Sequence, residues 1–66
     1  MRILANGQPR ELPEGTSLTA FLEELRLSSS RVAVEHNGAI VPRERYDDVI
    51  LAGGDRLEVV TLVGGG

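Results

Sequence analysis

The chain has 66 residues, a formal net charge of −3 and no cysteine, which excludes disulfides, a thiolate nucleophile and a Cys-based metal site. Its size indicates a single domain with a small core, because a domain of about 60 residues buries only about 60% of the surface that its unfolded chain exposes. The negative charge, with one Phe, one Tyr and no Trp, disfavours nucleic-acid binding, which depends on basic patches and stacking aromatic rings.

The N-terminal residues predict a β-hairpin. Residues 3–5 (Ile-Leu-Ala) lead into Asn6-Gly7, which is the strongest short hairpin signal, and the return strand covers residues 8–12. Because proline cannot donate a hydrogen bond to a neighbouring strand, Pro9 places this second strand at the edge of a sheet.

The next segment predicts one amphipathic helix over residues 17–26. Residues 13–15 (Pro-Glu-Gly) end the preceding strand, and Thr16 or Ser17 offers an N-cap. Apolar residues then recur at i, i+3, i+4 and i+7, the spacing of a helix with one buried face: Leu18, Phe21, Leu22 and Leu25. A single apolar stripe has to pack against another element, and a sheet is the available one.

Further strand segments follow the helix. Residues 32–34 precede a second Asn-Gly turn and the segment 39–41, the apolar residues 49–51 lead into a glycine turn, and a last strand covers 57–63. A hairpin, one helix and further strands in this order predict an α+β domain of the ubiquitin-like β-grasp fold. We expect a mixed sheet of four to five strands with one main helix on one face. Residues 1–66 form this single domain, and 64–66 are expected to be a flexible tail.

The last strand carries apolar residues on both of its faces. With one helix to cover the sheet, Leu57 and Val59 are predicted to face the core, and Val60 and Leu62 to lie on the open face. Exposed apolar residues often mark a docking surface for a partner. A second buried layer, or chance, remains the alternative.

The sequence ends on Gly64, Gly65 and Gly66, directly behind this strand. Glycine has no Cβ, so such a tail can enter a channel only as wide as a backbone. The terminal carboxylate is ionised at pH 7 and can attack an electrophile such as the α-phosphate of ATP. This pattern predicts a carrier that works through its own C-terminus. The alternative is a frayed chain end with a passive tail.

Three features in this order resemble the ThiS family of sulfur carriers from the thiamine pathway. They are the opening hairpin, the segment 40–44 (Ile-Val-Pro-Arg-Glu), and Gly54-Asp55 followed by an apolar strand and Gly65-Gly66. The resemblance spans the whole chain, with Tyr46 where a tryptophan is expected. The Gly-Gly ending is shared with the small subunit of molybdopterin synthase and with ubiquitin-like modifiers, so those functions, and that of a small interaction module, remain alternatives.

The resemblance implies that an adenylyltransferase related to ubiquitin-activating enzymes activates the carboxylate of Gly66. A sulfur donor such as a cysteine desulfurase then converts it into a thiocarboxylate, and thiazole synthase takes the sulfur for the thiazole ring of thiamine. Gly64 and Gly65 would thread into the partner, and Val60 and Leu62 would dock on it. The chain itself is expected to supply no catalytic residue, metal or cofactor, because ATP would bind to the adenylyltransferase.

The remaining polar residues suggest no catalytic site. Glu23-Glu24 and Asp47-Asp48 are adjacent pairs whose side chains point in different directions, and His36 has no Cys or second His with which to share a metal. Arg43 is expected either to contact a partner or to pin a loop. No apolar stretch approaches the roughly 20 residues of a membrane span, and the N-terminus lacks a signal-peptide core, so we expect a soluble cytoplasmic protein without membrane or nucleic-acid partners.

Overall fold

The order of elements is hairpin, helix, hairpin and final strand. The computed structural model describes residues 1–62; Gly64, Gly65 and Gly66, and with them the predicted tail, lie outside the described residues. The strands are β1 (Arg2–Ala5), β2 (Gln8–Glu11), β3 (Val32–His36), β4 (Ala39–Ile40) and β5 (Arg56–Thr61), and the helix α1 is Leu18–Glu24. Two short 3-10 helices cover Ser29–Arg31 and Arg43–Arg45.

The strands form one mixed sheet in the order β2-β1-β5-β3-β4. The two hairpins are antiparallel, β5 runs parallel to β1 and antiparallel to β3, and β2 lies at an edge as Pro9 predicts. The chain turns between β1 and β2 at Asn6 and Gly7, whose φ angles of 52° and 79° give the left-handed pair that suits a two-residue hairpin. The predicted β-grasp architecture, with five strands and one helix, is confirmed.

The helix begins at the predicted place and ends earlier than predicted. Ser17, rather than Thr16, is the N-cap, and its hydroxyl accepts a hydrogen bond from the Ala20 N–H at 3.0 Å. The predicted end at residue 26 is wrong, because Arg26 has a φ of 61° and reverses the chain. Its N–H donates to Glu23, and the Leu27 N–H donates to Leu22, which is the bonding pattern of a Schellman C-cap.

The core lies between α1 and the sheet. Three of the four predicted helix positions are buried in it, and the fourth, Leu25, is half-buried. The buried members of the core are Ile3, Ala5, Leu12, Leu18, Phe21, Leu22, Val32, Val34, Tyr46, Leu51 and Leu57. Tyr46 enters from the charged segment after β4, and its hydroxyl donates to the Val32 carbonyl at 3.2 Å. Within residues 1–62, no helix is long and apolar enough to cross a membrane.

Candidate functional site

Strand β5 divides its side chains between the core and the open face of the sheet. Leu57 is fully buried and Val59 is half-buried against the core, whereas Val60 is 59% and Leu62 is 46% exposed. The exposure of Val60 and Leu62 agrees with the alternation read from the sequence. Val59 is less buried than predicted, because α1 ends at Glu24 and leaves a groove beside it.

The strand register shows which residues share the open face with Val60. Ala33 of β3 lies directly opposite Val60, and Glu35 lies opposite both Glu58 of β5 and Ile40 of β4. Ile40 is 69% exposed. We call these residues, with Leu62, the docking face; it combines apolar side chains with two carboxylates.

The two carboxylates of the docking face lie on opposite strands and line one groove together with Arg56. Glu35 and Glu58 are direct cross-strand neighbours, and like charges in that position destabilise an antiparallel pair. Within residues 1–62, neither carboxylate forms an ion pair with a cationic group. A partner that brings a cation between them would relieve this repulsion, so the face suits a partner surface that is apolar and basic.

Arg43 pins a loop next to the end of β5. Its Nε donates to the Ser29 carbonyl at 3.0 Å, which ties the second 3-10 helix to the first. The carbonyl of Arg31, at the other end of that first helix, accepts from the Leu62 N–H at 2.7 Å. The loop-pinning alternative is therefore observed for Arg43, and a direct contact with a partner stays a prediction.

A second polar cluster joins the β3–β4 turn to the start of β5. Asp55 bonds His36 Nε2 at 2.8 Å, the Ala52 N–H at 2.9 Å and Asn37 Nδ2 at 3.1 Å. Burial acts to raise the pKa of Asp55, but the hydrogen bonds from His36, Ala52 and Asn37 outweigh it and lower that pKa below its ordinary value. His36 thus contributes a hydrogen bond that joins the end of β3 to the start of β5.

Among residues 1–62, no group of three or more His, Asp or Glu side chains is placed to hold a metal ion. Asp47, one of the paired carboxylates, accepts a hydrogen bond from the Thr19 hydroxyl. The carboxylate of Gly66 and the threading residues Gly64 and Gly65 lie outside the described part of the chain, so their roles stay predictions.

Comparison with known proteins gives sequence relatives over the whole chain. A profile of the ThiS family matches residues 3–66. The chain is 41% identical over 66 residues to a thiazole synthase of Paramagnetospirillum magneticum, covering 100% of this chain and 20% of that protein. It is 32% identical over 66 residues to the sulfur carrier protein ThiS of Escherichia coli, covering 100% of both. The chain thus spans about one fifth of the length of the first curated relatives it matches.

A solved structure gives the same architecture. The crystal structure of the thiamine biosynthesis protein ThiS from Geobacter metallireducens superposes with a TM-score of 0.84 at 32% identity, covering 100% of both chains. The resemblance first read from the hairpin, the segment 40–44 and the glycine ending is therefore supported by independent comparisons of sequence and of fold. The chain belongs to the ThiS family.

Proposed function

We propose that this protein is a sulfur carrier of thiamine biosynthesis that works through the carboxylate of Gly66. The observation that carries the proposal is the family match, which extends to residue 66 and covers the full length of a sulfur carrier from E. coli. The docking face on β5 supports it, because that face lies directly before the glycines.

The proposed chemistry begins with activation of a poor acyl donor. An oxygen of the Gly66 carboxylate attacks the α-phosphate of ATP, pyrophosphate leaves, and an acyl-adenylate forms. A persulfide sulfur of the donor then adds to the acyl carbon and AMP leaves, which gives an acyl disulfide. A thiol reductant cleaves its S–S bond, frees the donor and leaves a thiocarboxylate in which sulfur replaces one carboxylate oxygen. The partner adenylyltransferase would bind ATP, and this chain would need no cofactor.

The partners of this reaction follow from its chemistry and from the relatives. An enzyme related to ubiquitin-activating enzymes would form the adenylate, and a cysteine desulfurase would supply sulfur. Thiazole synthase is favoured as the acceptor of the sulfur, because the chain aligns with one fifth of the length of two proteins that carry that name. These partners imply action in the cytoplasm, which stays a prediction.

The docking face would hold the activating enzyme while the tail reacts. Val60 and Leu62 supply exposed apolar area, and Glu35 and Glu58 supply negative charge for a basic partner surface. Backbone hydrogen bonds in the partner would have to offset the entropy of ordering the glycines, which is about 1–2 kcal/mol per residue.

Intact-protein mass spectrometry tests this function. Protein from cells is first measured to establish that Gly66 is its last residue, and is then incubated with adenylyltransferase, ATP, a cysteine desulfurase, cysteine and a thiol reductant. We expect the mass to rise by the difference between sulfur and oxygen. A matched variant with one residue added after Gly66 should stay folded and gain no sulfur. Sulfur on the extended, untrimmed protein would refute the role of the terminal carboxylate.

The same experiment separates the alternatives. A protein modifier would appear covalently linked to other proteins, and an interaction module would show no change of mass. A carrier for molybdopterin synthesis would gain sulfur but fail to deliver it to thiazole synthase in a reconstituted reaction.

A further inference from the structure

Strand β5 has little backbone support from β1. The parallel register pairs Leu4–Ala5 with Arg56–Leu57 only. Strand β1 then ends, because the chain enters its left-handed turn at Asn6. The backbone ladder on this side therefore stops before Val59.

The side chain of Asn6 takes the place of the missing strand. Its Oδ1 accepts from the Val59 N–H at 2.7 Å, and its Nδ2 donates to the Val59 carbonyl at 3.1 Å. A carboxamide presents one acceptor and a donor side by side, as a peptide group does. Asn6 thus binds Val59 as a further residue of β1 would, across a separation of 53 residues.

This contact lies immediately before the docking face. Val60 follows Val59 directly, and β3 supports β5 on the other side as far as Thr61. On the Asn6 side, the groove past Val59 is lined by side chains that include Gln8 and Arg10 of β2, and among the described residues no strand pairs with Val60 or Thr61 there. Among the described residues, Asn6 is therefore the last contact that holds this side of β5.

A second asparagine provides an internal comparison. Asn37 occupies the β3–β4 turn with a φ of 53°, close to the 52° of Asn6. Its Oδ1 accepts from the Arg56 N–H at 2.8 Å, so it holds the beginning of β5 rather than the end. The two residues share residue type, turn and target strand, and differ in the part of β5 that they hold.

We propose that Asn6 is a positioning residue for the docking face. Its side-chain amide holds the C-terminal half of β5 in register, and so fixes where Val60, Leu62 and the residues after them are presented to a partner. Register matters here because a slip of one residue exchanges the two faces of a strand. The expected effect of Asn6 on adenylation rests on the proposed function, whereas its role in holding β5 does not.

Three variants test the proposal. Asn6→Gly keeps the left-handed turn and removes the amide, because glycine adopts positive φ without strain. Asn6→Asp keeps the acceptor for the Val59 N–H but turns a second oxygen toward the Val59 carbonyl. Asn37→Gly is the control, since it makes the same substitution at the beginning of β5; it also removes the hydrogen bond from Asn37 Nδ2 to Asp55.

The first measurement is hydrogen exchange of the Val59 amide in the free protein. Asn6→Gly should raise its exchange rate about tenfold, the scale of one lost net hydrogen bond, whereas Asn6→Asp, which keeps the acceptor for this N–H, should raise it less and Asn37→Gly should leave it within about twofold. The second is steady-state adenylation at a temperature where every variant is folded. The KM for the carrier should rise in Asn6→Gly with kcat nearly unchanged, because a smaller fraction is competent to dock; the rise equals the factor by which that fraction falls, and is about twofold if half of the molecules lose the correct register.

Each result decides a part of the proposal. Unchanged exchange at Val59 in Asn6→Gly would overturn it. An equal rise of KM in Asn37→Gly would also overturn it, because that pattern reports a general loss of stability. If wild-type protein is not adenylated while the exchange rates change as expected, the proposed function fails and the role of Asn6 in holding β5 stands.

Discussion

Replacing Phe21 by Ala should bring this domain close to unfolding. The Phe21 side chain is fully buried between α1 and the sheet, and Phe→Ala in a core costs about 3–5 kcal/mol. At about 0.05–0.15 kcal/mol per residue, a chain of 66 residues has a free energy of unfolding of about 3–10 kcal/mol. The substitution therefore removes a large part of the stability, or all of it.

Substitutions on the open face of the sheet should lower the free energy of unfolding much less. Val60 is 59% exposed, so Val60→Thr, which keeps the β-branched shape, should change the free energy of unfolding by no more than about 0.5 kcal/mol. Val60→Asp places a third negative charge beside Glu58 and near Glu35, and should cost at most about 1 kcal/mol. Both variants should stay folded and dock less well.

Urea denaturation followed by far-UV circular dichroism, together with the KM for adenylation, measures both effects. Phe21→Ala should lower the midpoint strongly, whereas Val60→Asp should raise the KM at nearly normal stability. If Val60→Asp unfolds the protein as severely as Phe21→Ala, the assignment of the two sheet faces is wrong.

Two further substitutions test the polar contacts. The pKa of Asp55 is lower in the folded protein than in the unfolded chain, so the ionised carboxylate stabilises the fold at pH values above the unfolded pKa. This contribution is lost progressively as the pH falls from about 5 through the folded pKa. Urea titrations should show wild type more stable than Asp55→Asn at neutral pH, with the difference shrinking in acid; a constant difference would contradict this. Tyr46→Phe removes the hydroxyl that donates to Val32 and should cost about 1 kcal/mol in the same assay, and an unchanged midpoint would show that this bond adds no net stability.

Local patterns were sufficient to predict the α-helix and the main strands of this fold, but not its two 3-10 helices. The Asn6-Gly7 turn depends on left-handed backbone at two adjacent residues, and the stripe containing Leu18 and Phe21 depends only on helical spacing. The alternation along β5 likewise predicted that Val60 is exposed. Each of these features is decided within about ten residues of sequence, where backbone preference and side-chain period act directly.

Contacts between distant residues could not be predicted in the same way. Nothing near Asn6 in sequence indicates that its amide binds Val59, and nothing in the charged segment after β4 has the period that would mark Tyr46 as buried. The helix end was missed because Arg26, rather than a glycine, adopts the left-handed C-cap conformation. These features depend on how elements meet after folding, which a one-dimensional pattern does not contain.

The residues that form the core and the residue that is proposed to react lie in different parts of the chain. Among the described residues, every buried core member lies between Ile3 and Leu57, and after Leu57 only Val59 adds a half-buried side chain to the core. Asn6, from the β1–β2 turn, then holds the strand at Val59. Gly66 follows this last described core contact by seven residues in the sequence. For this reason a residue added after Gly66 tests the chemistry of the terminal carboxylate without disturbing the packing that keeps the domain folded.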